Sequence, residues 1–244
     1  MTISRSDWLK YIRKLSAIDR KAADAMQFWM DENPDADVDE LVYTAHLLTD
    51  RYGEAAASLA CEMYDATAAA QGAAVPPAEP AETATYDETS KAVRGTIKNQ
   101  RNTVPATVGR LVKQAGADTM LKNAARDGAE WAWVPNGDTC AFCMMLASNG
   151  WQRQGRKAAR GQHAEHIHAN CDCTYAVRFD GKSTVEGYGD GEAYRERYYG
   201  ADLDHWNTPD GKPPAGNSTG SQDLWKQRLN AMRRAEYKPK EKKT

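Results

Sequence analysis

Apolar residues recur every three or four positions at the start of the chain. Trp8, Tyr11, Ile12, Leu15, Ala22, Met26 and Trp29 fall on one face of a helix over residues 6–31. "NPDADVDEL" interrupts it, and Asp37 with Glu40 has the spacing of a capping box. A second helix follows to about residue 70. Its Leu41, Ala45, Leu48, Tyr52, Ala55 and Leu59 alternate steps of four and three, the spacing of a helix-on-helix seam. The two helices pair as a hairpin, or else the seam packs on another chain. "AAAQGAAVPPAEPAETAT", residues 68–85, is Pro- and Ala-rich with few large apolar residues and reads as an extended linker. Residues 86–100 and 104–126 each read as a helix. The second has Thr103 as N-cap, Pro105 in its first turn, and an apolar stripe of Val104, Val108, Leu111, Val112 and Ala115.

The periodicity changes at Glu130. "EWAWVP" alternates, with Trp131 and Trp133 on one side, as a strand does. "NGD" turns the chain, "TCAFCMMLAS" reads as a short helix, and "NG" ends it. Residues 151–163 read as a basic loop, and "CDCTYAVRF" alternates again as a second strand. Residues 181–220 are Gly- and Pro-rich and poorly patterned, and a last helix is expected over about 221–236. The expected fold is mainly α with a small α+β unit toward the C-terminus. Its divisions are a helical partner-binding region (1–67), a linker (68–85), an α+β unit (86–180), and a Gly/Pro-rich loop with a basic helix and tail (181–244).

The 244 residues carry a net charge of −2, which excludes a strong overall attraction to polyanions. The charge is unevenly spread, however. Residues 31–65 are mostly acidic; residues 91–127 hold eight Lys/Arg against two Asp; the tail from Lys226 holds eight against two Glu. Such asymmetry points to oppositely charged partners. No apolar run approaches the ~18 residues of a membrane span. "MTISRSDWLKYIRKL" has no secretory core, so the chain is expected to be made in a cytosol, where thiols stay reduced.

Four of the five cysteines and three of the five histidines lie between residues 140 and 173. The spacing is Cys140-x2-Cys143, then 24 residues, then His168, Cys171 and Cys173. A C-x2-C step at a helix start brings two thiolates to one ion, about 2.3 Å from each sulfur for zinc. Residues two apart on a strand share a face, so Cys171 and Cys173 point the same way. A structural zinc site is therefore expected on Cys140 and Cys143 plus two of His168, Cys171 and Cys173, with His163 and His166 in reserve. Such an ion would crosslink a segment too polar to form a core.

Competing chemistry is available. A thiolate–imidazolium pair would make a nucleophile, but no one thiol is singled out. "EHIHAN" resembles the acid–His–Ile string of HNH nucleases, through Glu165, His166, Ile167 and Asn170. The Asn comes too soon, cysteines occupy the following loop, and no downstream histidine completes a site. A non-catalytic zinc module that binds nucleic acid through Arg153, Arg156, Lys157 and Arg160 is a third possibility. Cys61 reads as a packed residue, His46 as a helix-surface residue and His205 as a loop residue.

"WVPNGDTCAFCMMLASNGW" followed by "HIHANCDC" resembles the C-terminal domain of phage head morphogenesis proteins, the phage Mu F-like minor capsid proteins. Their pattern is an aromatic strand, a D-x-T-C-x-x-C turn, a short helix ending at Gly, a variable loop, and H-x-x-C-x-C entering a strand. Thr139, Cys140, Cys143, Gly150, His168, Cys171 and Cys173 fall on those positions, with Asp138 directly beside Thr139 rather than one residue removed, and the match covers about residues 86–180. Many relatives have Pro after the histidine and a basic residue between the last cysteines, where this chain has Ala169 and Asp172. The resemblance implies a non-enzymatic component of the virion or procapsid. It would be made in the bacterial host cytoplasm and associate with portal, scaffold or major capsid protein. The basic stretches would be free to touch packaged DNA.

Overall fold

The computed structural model describes residues 3–98, 100–136, 139–153, 173–188, 191–201 and 228–233. The protein is mainly helical, with a small three-stranded antiparallel sheet. Helices α1 (Arg5–Glu32) and α2 (Val38–Gln71) are followed by α3 (Tyr86–Ile97) and α4 (Val104–Asp127). Strand β1 (Glu130–Val134), helix α5 (Ala141–Ala147), strands β2 (Gln152–Arg153) and β3 (Thr174–Arg178), and helix α6 (Glu192–Tyr199) complete the order. Residues 228–233 are also helical.

The helix starts are written in the local sequence. Ser4 caps α1 by accepting from the Asp7 amide. Asp37 and Glu40 form the expected capping box on α2, and Thr85 with Glu88 forms another on α3. Thr103 is at the N-cap position of α4 but makes no side-chain cap; its hydroxyl donates to the Gln100 carbonyl instead.

Helix α4 is the axis of the molecule. It packs against both α1 and α2, and it is buried on nearly every side rather than along the single stripe the sequence suggests. Glycine makes the approach close: a Cβ on Gly116 would stand 3.2 Å from the Ala56 carbonyl oxygen and 3.3 Å from Leu15. Gly109 lies the same way against Asp19 of α1. Helix α4 thus runs antiparallel to α1 and alongside α2.

The buried face of α2 differs from the expected seam. Leu41, Val42, Ala45, Thr49, Ala56, Ala60, Met63 and Tyr64 are buried, Leu48, Tyr52 and Leu59 are half-buried, and Ala55 is exposed. Where α4 passes nearest, at Ala56, a small residue takes the interior, and Leu48, Tyr52 and Leu59 of the expected seam lie at its margin.

The Pro-rich stretch is extended, as expected, but it is tied down as a strap. The Asn123 side chain pairs with both the amide and the carbonyl of Glu79. Thr119 accepts from the Ala81 amide, and the Arg126 guanidinium donates to the carbonyls of Pro76 and Pro77. Two further elements depart from the sequence reading. Residues 152–153 are a short strand beside β1 rather than loop, and the Gly-rich region contains α6. Strand β2 is too short to show a period, and α6 is too polar to show an apolar stripe.

Candidate metal site

Strand β1 lies in the middle of the sheet, in the order β2-β1-β3. Its pairing with β3 runs from Glu130↔Arg178 to Val134↔Thr174. Trp131 and Trp133 share a face, as the alternation requires, and both meet the Tyr175 ring edge-on, at 5.2 and 4.8 Å. They are packing residues, 5% and 2% exposed, and so are not available to stack on bases.

The register locates the cysteines. Cys173 immediately precedes Thr174, which pairs with the last residue of β1. It therefore lies at the sheet end from which the chain turns toward α5. Cys140 occupies the N-cap position of α5 in extended conformation, and Cys143 follows one turn later. Cys143 and Cys173 are each 1% exposed, and Cys140 is half-buried against the same core. All three are thiols, not disulfides. Burial pushes the Tyr175 phenol up, and the neighbouring Asp118 and Cys143 add to the shift. Burial likewise raises Tyr194 of α6, with Cys173 contributing.

The end of α5 is anchored. Gly150 takes a positive φ of 64° as the chain leaves the helix. The Tyr188 hydroxyl donates to the Ala147 carbonyl at 3.1 Å, and Arg195 donates to the Ser148 carbonyl at 3.2 Å. At the opposite end of the sheet, Arg178 donates to Glu130 at 2.6 Å and lies over the Trp151 ring at 4.6 Å. Burial pushes the Glu130 carboxyl up, but the hydrogen bonds and charges of Arg178 and Arg153 outweigh it and hold the carboxyl below its ordinary value. Neither Tyr175 nor Arg178 was singled out from the sequence. Their strand alternation was visible, but their cross-strand partners were not.

Among the described residues, no group of three or more His, Cys, Asp or Glu side chains is arranged to hold a metal. The expected ligands His168 and Cys171, and the reserves His163 and His166, lie outside the described residues. So do Glu165, Ile167 and Asn170 of the nuclease-like string, and Arg156, Lys157 and Arg160 of the basic loop. Arg153 is described: it is exposed and pairs with Glu130 at 3.2 Å. The donor chemistry fits a thiophilic ion. Cys140 and Cys143 lie at the start of α5, Cys173 at the start of β3, and the expected donors His168 and Cys171 shortly precede Cys173 in sequence.

The model of the VG15 protein family matches residues 2–201. The chain belongs to the VG15 protein family. VG15 is a phage protein family, and its match takes in every element from α1 through α6. Residues 228–233 lie beyond it. No curated protein and no solved structure matches the chain. No described helix of this VG15 protein is long and apolar enough to cross a membrane.

Proposed function

We propose that this VG15 protein is a non-enzymatic minor capsid protein of the head-morphogenesis type, acting in the virion or procapsid. The observation that carries the reading is the ordered run from Asp138-x-Cys140-x2-Cys143 to His168-x2-Cys171-x-Cys173, in a chain of a phage protein family. The partners are the portal and the scaffold or major capsid protein. The helical half, with its uneven charge, offers surface for them. Arg153 and the basic loop supply phosphate contacts if packaged DNA is touched.

In the same reading the cysteines hold a structural zinc ion. Cys140 and Cys143 provide the first pair, and two of His168, Cys171 and Cys173 complete it. Zinc supplies a crosslink rather than reactivity, because four protein ligands leave no open position. The chain's own residues set the frame: β1 and β3 fix the Cys173 end, and the anchored α5 fixes the C-x2-C end.

Co-expression with the portal protein of the same phage tests the assembly role. The portal is expected to retain the protein through purification, and the protein to be found in purified virions. Its absence from both would overturn the reading.

A further inference from the structure

Two exposed stripes on the helical hairpin carry opposite charge. On α1 the outward positions are Lys10, Arg13, Lys14, Arg20 and Lys21, followed by Phe28, which is 68% exposed. On α2 they are Tyr43 and Leu47, 58% and 50% exposed, followed by Asp50, Glu54, Glu62 and Asp65. Neither stripe is of one sign throughout. Asp24, Asp31 and Glu32 are exposed on α1, the last two beyond Phe28 at the tip, and Arg51 on α2 lies over its neighbour's ring at 5.9 Å. Among the described residues, Lys10, Arg13, Lys14, Lys21, Glu54 and Glu62 have no ion-pair partner. Asp50 accepts from Thr83 and Asp65 from the Ala78 amide, so the strap lies beside this face and adds exposed Glu82 to it.

The order along each stripe matters more than the totals. Residues 33–37 join α1 to α2, so the apolar end of both stripes lies at the same tip of the hairpin. At 1.5 Å rise per residue, Lys21 is about 11 Å from Phe28 and Lys10 about 27 Å. On the same scale Asp50 is about 11 Å from Tyr43, Glu54 about 17 Å and Glu62 about 29 Å. Laid side by side with the tips together, apolar Phe28 meets Tyr43 and Leu47, and the bases from Lys21 back to Lys10 meet the acids from Asp50 to Glu62. Contact of either stripe with its own copy would instead place like charges together.

We propose that a second copy of this chain is the partner for this surface, with the α1 stripe of one copy docked on the α2 stripe of the other. Charge gives the contact its direction, and the apolar tips give it buried area.

The test uses the full chain, with mass measured by light scattering after size exclusion. At low salt the wild type is expected at a multiple of 27.0 kDa, and high salt is expected to lower that mass by screening the pairs. K10E/R13E/K14E/K21E and E54K/E62K/E82K are each expected at the monomer mass. An equimolar mixture of the two is expected to regain the multimer, because each then supplies the charge the other lacks. A monomeric wild type at low salt, variants that associate like the wild type, or a mixture that stays monomeric while both variants keep the wild-type circular dichroism would each overturn the proposal. Carbodiimide cross-linking of mixed light- and heavy-isotope wild-type chains reads the contact without substitutions. Links between α1 lysines and Glu54 or Glu62 in mixed-isotope pairs are expected, and their absence overturns it.

Discussion

Two residues of α4 show how tightly the helices close. Gly116 lies between Ala56 and Leu15 with no room for a side chain. Gly116→Val should therefore force α1 or α2 away, at a cost of about 1–3 kcal/mol, read as a lower denaturation midpoint. An unchanged midpoint would show that the close approach is not needed. Lys113 presents the opposite case. It is 1% exposed, and its Nζ has no hydrogen-bond partner among the described residues. An unpaired buried ammonium is costly. Lys113→Met, which keeps the length and removes the charge, should raise stability by about 1–2 kcal/mol. A loss of stability on chemical denaturation would contradict this. Neither residue was legible as special in the sequence, since both needed knowledge of what crosses α4.

At the scale of elements, the strap is where composition said least. "VPPAEPAET" announces an extended path but not where it is fastened. The fastening residues, Thr119, Asn123 and Arg126, lie on α4, about forty to fifty positions away. Asn123→Ala removes both backbone bonds to Glu79. Limited proteolysis should then cut residues 73–85 faster, with the helices' circular dichroism retained. Equal cutting rates would mean the strap is held by its apolar contacts alone. The sheet makes a pH prediction. Glu130 is held below its ordinary value in the folded protein, so its contribution is present above the unfolded carboxyl value. It is lost as pH falls from the ordinary carboxyl range through the lowered folded value. Glu130→Gln should flatten that acid limb, and an unchanged limb in thermal melts would assign it to other carboxylates such as Asp127 and Asp180, which are also lowered. Helix limits, both strands flanking the cysteines and the Asp37–Glu40 capping box were legible because periodicity and capping are local, whereas the expected Thr103 cap does not form. The displaced seam of α2, strand β2 and α6 were not, because partners distant in sequence decide them.

For the molecule as a whole, sheet pairing sets where the two halves of the cysteine pattern enter the fold. Pairing of β1 with β3 returns Cys173 to the sheet end from which the chain enters α5, where Cys140 and Cys143 begin the helix. The donor types and their order were legible in the sequence. The position of Cys173 at that sheet end was not, because it depends on antiparallel register. A metal at this junction would tie the two ends of the segment between α5 and β3, which lies largely outside the described residues. We propose that these cysteines, with His168, hold zinc in a chain of a phage protein family. Metal content of protein purified without chelator tests it most directly. The expected result is about one zinc per chain, with a lower melting temperature after chelation. Less than about 0.2 zinc per chain, with melting unchanged by chelator, would contradict it.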